Sequence, residues 1–131
     1  MNKQEFMQQY FGFLEKENLR CTDVIVGAGG SMLMRGLRET THDIDAGLVT
    51  DDFNLFLDRG LQRKEISNDR FAIVYNEFID LHDEGSMMVG EIIDGVFCEH
   101  LKDVLERKLR LNRPKDQEDI MKLQAYMEKK S

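Results

Sequence analysis

The sequence predicts an α+β fold (mixed α/β), a small mixed β-sheet flanked by helices, and three observations carry that expectation. Helical periodicity marks both ends of the chain, short apolar or alternating runs fill its middle, and 131 residues suffice for one core. At 41% hydrophobic and 33% charged residues, the composition is globular and excludes the disordered and fibrous classes. The expected organisation is a single domain over residues 1–131, with C-terminal helices at about 99–129 packing on the same core.

Lys3–Asn18 places Phe6, Tyr10, Phe13 and Leu14 at helical spacing among Gln and Glu, an amphipathic helix. Asp23–Val26 is an apolar run entering Gly27, Gly29 and Gly30, so a strand leads into a glycine turn. Ser31–Leu37, with Met32, Leu33 and Met34 ahead of Gly36, suits a short helix after that turn. Ile44–Val49 alternates, sending Ile44, Ala46 and Leu48 to one side and Asp43, Asp45 and Gly47 to the other. Asp51 or Asp52 caps a helix running to about Arg59, and Gln62–Ser67 and Arg70–Tyr75 read as strands joined at Asn68-Asp69. Phe78–His82 is a further strand, glycines 85, 90 and 95 make the next stretch irregular, and Val96–Cys98 precedes a helix carrying Leu101, Val104, Leu105, Leu109 and Leu111. Pro114 closes that helix or opens the last one, which reaches about Lys129 with Ile120, Leu123 and Met127 on one face.

Charge narrows the function. Eighteen Lys and Arg against 25 Asp and Glu leave a net charge of −7, which disfavours an extended nucleic acid as partner. Cys21 and Cys98 fit neither a disulfide framework nor a metal-binding cysteine cluster and read as free thiols. No signal-like segment opens the sequence and no apolar run is long enough to span a bilayer, so the expectation is a cytoplasmic protein without a membrane partner.

The informative segment is Gly27–Asp45, GAGGSMLMRGLRETTHDID. On a strand, Asp43 and Asp45 project from one face about 6–7 Å apart and can together hold one or two hard divalent cations, magnesium above all. A magnesium ion held this way keeps positions open for phosphate oxygens, and a glycine turn leading into a helix offers backbone N–H groups and the Ser31 hydroxyl to a polyphosphate. Together these describe a nucleoside triphosphate site.

The combination resembles the nucleotidyltransferase superfamily that includes DNA polymerase beta, aminoglycoside nucleotidyltransferases and minimal nucleotidyltransferases of toxin–antitoxin pairs. The resemblance lies in Gly29-Gly30, the apolar Met32–Met34, Gly36-Leu37-Arg38, Thr40-Thr41 and Asp43-Ile44-Asp45, and extends to Lys108–Leu123, KLRLNRPKDQEDIMKL. It implies a third carboxylate on a neighbouring strand, serving as metal ligand and as base toward the attacking hydroxyl. Asp80 is the first candidate, because Ile79 and Leu81 would point to the core and send it to the opposite face; Asp83, Glu91 and Asp94 are its rivals. The implied reaction is transfer of a nucleoside monophosphate from an NTP to a hydroxyl of a protein, a small molecule or an RNA end, with pyrophosphate released between two magnesium ions. In that reading Gly29, Gly30, Ser31 and Thr41 bind the nucleotide, and Arg38 with Lys108 or Lys115 neutralises its phosphates. Arg38 has an alternative in Glu39 or the carboxylates, and Lys108, Arg113 and Lys115 have one in helix ends. His82, on the face of Asp80, could contact nucleotide or acceptor, whereas His42 faces away from the aspartates. The short chain implies an acceptor site that is open, shared across a homodimer or completed by a partner protein. The alternative from another class is an antitoxin-like or partner-binding module of this fold with little turnover, and a third is a nucleotide sensor.

Overall fold

The computed structural model describes residues 1–130. Helix α1 (Lys3–Glu17) starts at a capping box in which the Asn2 side chain accepts from Glu5 N–H and the Glu5 carboxylate accepts from Asn2 N–H. It ends at Asn18, whose left-handed φ of 56° closes the last turn. Its apolar stripe of Phe6, Tyr10, Phe13 and Leu14 is buried, as the periodicity predicts. The remaining helices are α2 (Ala28–Met34), α3 (Thr50–Leu57), α4 (Leu101–Leu111) and α5 (Gln117–Lys130).

The strands are β1 (Ile25–Val26), β2 (Ile44–Leu48), β3 (Arg63–Ser67), β4 (Arg70–Val74), β5 (Ile79–Asp83), β6 (Gly90–Ile93) and β7 (Val96–Glu99). They form one mixed sheet in the order β3-β4-β5-β2-β1-β7-β6. At its centre β2 pairs with β5 in parallel, while β1 pairs antiparallel with β2 and parallel with β7. The fold is mixed α+β, as the sequence predicts.

Alternation decides which face is core. Ile44, Ala46 and Leu48 of β2, Ile79 and Leu81 of β5, and Val96 and Cys98 of β7 are buried with Phe6, Phe13, Phe53 and Phe56 from α1 and α3. A second cluster of Met32, Leu101, Val104 and Leu123 joins α2 to α4 and α5. Residues of the opposite parity, Asp43 and Asp45 among them, are left on the other face of the sheet. Tyr10 crosses the core: its hydroxyl donates to the carbonyls of Val24 (2.8 Å) and Cys21 (3.1 Å) and accepts from Phe97 N–H.

Five local expectations differ from the structure. Neither Asp51 nor Asp52 caps α3: its N-cap is Val49, and both aspartates lie in the first helical turn, where their charge complements the helix dipole. The apolar run at 23–26 is a strand only over Ile25–Val26, because Cys21–Asp23 forms a 3₁₀ turn. The glycine segment is not a turn: α2 begins at Ala28, Gly27 is its N-cap, and Gly29 and Gly30 are helical. The last helix starts three residues late, since Pro114–Asp116 is a 3₁₀ turn ahead of α5. Strand β6, an edge strand with no fully buried residue, falls in the stretch read as irregular.

Candidate functional site

Three carboxylates converge on the open face of the sheet. The parallel register sets Asp45 beside Asp80, and Asp43 stands immediately ahead of β2 on the side of Asp45. One carboxylate oxygen from each of Asp43, Asp45 and Asp80 lies within 4.8 Å of the others, and the trio could hold a metal ion. Asp80 is buried, while Asp45 is exposed. The rivals are engaged elsewhere: Asp83 accepts from the Thr50 hydroxyl, Glu91 pairs with Arg35, and Asp94 pairs with Lys3.

Two groups touch the trio. His82 Nε2 lies 3.1 Å from Asp45 Oδ1, and this hydrogen bond, against the opposing effect of burial, holds the Asp45 carboxyl below its ordinary range. Lys64 Nζ donates to Asp80 Oδ2 at 3.2 Å, and that bond raises the lysine above its ordinary value. Neither contact was read from the sequence, although the parity of His82 with Asp80 pointed toward the site.

Asp43 and Asp45 open into a cleft of about 1410 Å³, which His82 also lines and where Arg38, Arg107, Lys108 and Lys115 are interspersed with Glu84, Glu99, Asp103, Asp116 and Asp119. Arg38 donates to Asp119 (2.5 Å), not to Glu39. Lys108, in the last turn of α4, is buried, 3.3 Å from Asp116 and 3.2 Å from Asp119, so it is the hub of an internal ion network and not an exposed helix-end charge. Burial works to raise the Asp119 carboxyl, but Arg38 and Lys108 outweigh it and hold the group low. Arg113 and Lys108 depress Asp116 to about 2. Arg107 makes a two-pronged bond to Glu99 at 2.6 and 2.9 Å. Lys115 is exposed at the cleft, and His42 also lines it. The cleft thus carries charges of both signs, with most of its cations already paired to carboxylates.

Comparisons with protein-family models, with curated proteins and with solved structures found no match.

The predicted phosphate cradle divides. Gly29 faces the cleft, where a Cβ would stand 3.2 Å from Arg38 Nη1 and from Thr41 Oγ1, and Thr41 lines the same cleft. Gly30 faces inward, where a Cβ would stand 2.5 Å from Phe6 Cζ, so its lack of a side chain serves the core. Ser31 is fully buried; its hydroxyl donates to the Glu99 carbonyl at 2.6 Å and accepts from Arg35 at 2.6 Å. The expectation that Ser31 offers its hydroxyl to phosphate is corrected on that ground: one helical turn past Gly27, it points toward β7. Among the described residues no helix is long and apolar enough to cross a membrane.

Proposed function

We propose that the protein is a magnesium-dependent nucleotidyltransferase that moves a nucleoside monophosphate from an NTP to a hydroxyl acceptor. The observation that carries this reading is the trio Asp43, Asp45 and Asp80, gathered where the parallel strands β2 and β5 run side by side, with Asp43 and Asp45 lining an open cleft. An all-carboxylate donor set suits a hard, oxygen-seeking cation, and the Lys64 ammonium on Asp80 is already a positive charge drawn to that place. Asp43, Asp45 and Asp80 would hold the metal, which when bound supplies charge neutralisation of the phosphates and of the attacking and leaving oxygens.

The chain's own groups supply the rest. Gly29 lies at the cleft without a side chain, so a polyphosphate can approach the α2 backbone closely there. Arg38, steered by Asp119, and the exposed Lys115 bring positive charge to the same side of the cleft. Attack of an acceptor hydroxyl oxygen on the α-phosphorus forms one P–O bond and breaks the bond to the bridging oxygen, releasing pyrophosphate. Asp80 accepts the hydroxyl proton, its carboxylate oriented by its buried setting on the central strand β5.

The test is calorimetric and thermal-shift titration with each of the four NTPs, with and without magnesium, on wild type and on Asp43→Asn/Asp45→Asn. Magnesium-dependent stabilisation that the double variant loses is the expected result. No shift with any NTP, together with a co-purifying protein, would replace the enzyme by the partner-binding module.

A further inference from the structure

We propose that Lys64 is a tethered cation that stands in for the divalent ion at the acidic trio and is displaced when that ion binds, so that strand β3 sets the metal affinity of the site. This rests on the metal-centre reading above and extends it to a residue outside the carboxylate set.

The trio is self-repelling, with three carboxylate oxygens within 4.8 Å of one another. Lys64 Nζ, 3.2 Å from Asp80 Oδ2, is the lysine that answers that charge. The two partners are anchored very differently. Asp80 is on a central strand, paired on both sides, and its side chain is 12% exposed. Lys64 is on the edge strand β3, whose five residues are all exposed, and its side chain is 57% exposed. That strand is held by β4 alone, and their register shifts between Glu65 and Ser67. The carboxylate is therefore fixed and the ammonium is free to swing on a four-carbon stem.

A magnesium ion would sit about 2.0–2.1 Å from its ligand oxygens. An ammonium still bonded to the same carboxylate would then face a double positive charge a few ångströms away. Displacement of Lys64 relieves that repulsion, and the energy of the Lys64–Asp80 pair is subtracted from the metal's binding energy.

The experiment is titration of Mn²⁺ and of Mg²⁺ alone, without nucleotide, into full-length wild type, Lys64→Met, Lys64→Gln and Lys64→Arg, each also with Asp43→Asn, by calorimetry and by the EPR signal of free Mn²⁺. Removing the charge should tighten binding about 1.5- to 5-fold in both neutral variants, the range expected when a partly exposed ion pair no longer competes. Lys64→Arg should remain near wild type. Equal or weaker binding in the neutral variants, with wild-type binding lost in Asp43→Asn, overturns the competition and leaves the metal centre standing. Absence of Asp43-dependent binding in wild type and in both neutral variants overturns the metal centre and the competition together.

Discussion

Replacing Gly30 by alanine tests whether the glycine pair serves the core or the cleft. A Cβ at Gly30 would lie 2.5 Å from Phe6 Cζ, 2.9 Å from Phe6 Cε2 and 3.4 Å from Val26 Cβ. Carbon atoms pack best at about 3.5–4.0 Å, so the Phe6 ring must retreat by roughly 1 Å. It has little room, since Phe6 is fully buried against the sheet. Overpacking of this kind costs about 1–3 kcal/mol, and the gain from alanine in a helical position returns about 0.5–1 kcal/mol. The net is a loss of about 1–2 kcal/mol, which for a chain of this size lowers Tm by roughly 4–8 °C. Gly29→Ala is the internal control, because its Cβ would meet only the Arg38 and Thr41 side chains at 3.2 Å, on the cleft side where they can shift. That variant should hold or slightly raise Tm while weakening NTP binding. Thermal melts by circular dichroism read both, and Phe6→Leu in the Gly30→Ala background should recover part of the loss. A Gly30→Ala protein as stable as wild type, or less disturbed than Gly29→Ala, would refute the reasoning.

Three further outcomes follow from buried charge and a buried thiol. Lys108→Met leaves Asp116 and Asp119 with Arg113 and Arg38 alone, and should cost about 1–3 kcal/mol in urea unfolding at pH 7. Because the Asp116 carboxyl is depressed to about 2 in the folded state against about 3.9 unfolded, its stabilisation is complete above roughly pH 5 and fades as pH falls through 4 toward 2. Asp116→Asn should accordingly be less stable at neutral pH and show a shallower fall in stability across that window. Burial pushes the Cys98 thiol up to about 11, whereas Cys21 is partly exposed, so a thiol reagent at pH 8 should label one cysteine in native protein and two in denaturant. Rapid double labelling of native protein would contradict the packing of β7.

The Asp43 and Asp45 placement was legible because strand alternation is local: Ile44, Ala46 and Leu48 seek the core, and the residues between them have one other side to take. The same rule selects Asp80 through Ile79 and Leu81, independently of the pairing of β5 with β2. The amphipathic stripe of α1 was legible for the equivalent helical reason. Gly29 and Gly30, by contrast, are identical letters whose roles diverge with the angle each takes on α2, and Ser31 is carried by the next step of that helix into a hydrogen bond with Glu99.

The sequence by itself determined the mixed architecture and the face on which the aspartates lie, because periodicity of 2 or 3.6 residues is a property of neighbours along the chain. Only the tertiary structure decided what surrounds them. Arg38 meets Asp119 across 81 residues of sequence, His82 meets Asp45 across 37, and Lys64 reaches Asp80 from an edge strand whose own pattern gives no sign of it. Such contacts depend on strand order and on where α4 and α5 return to α2, and charge is attracted by whatever opposite charge folding brings within reach.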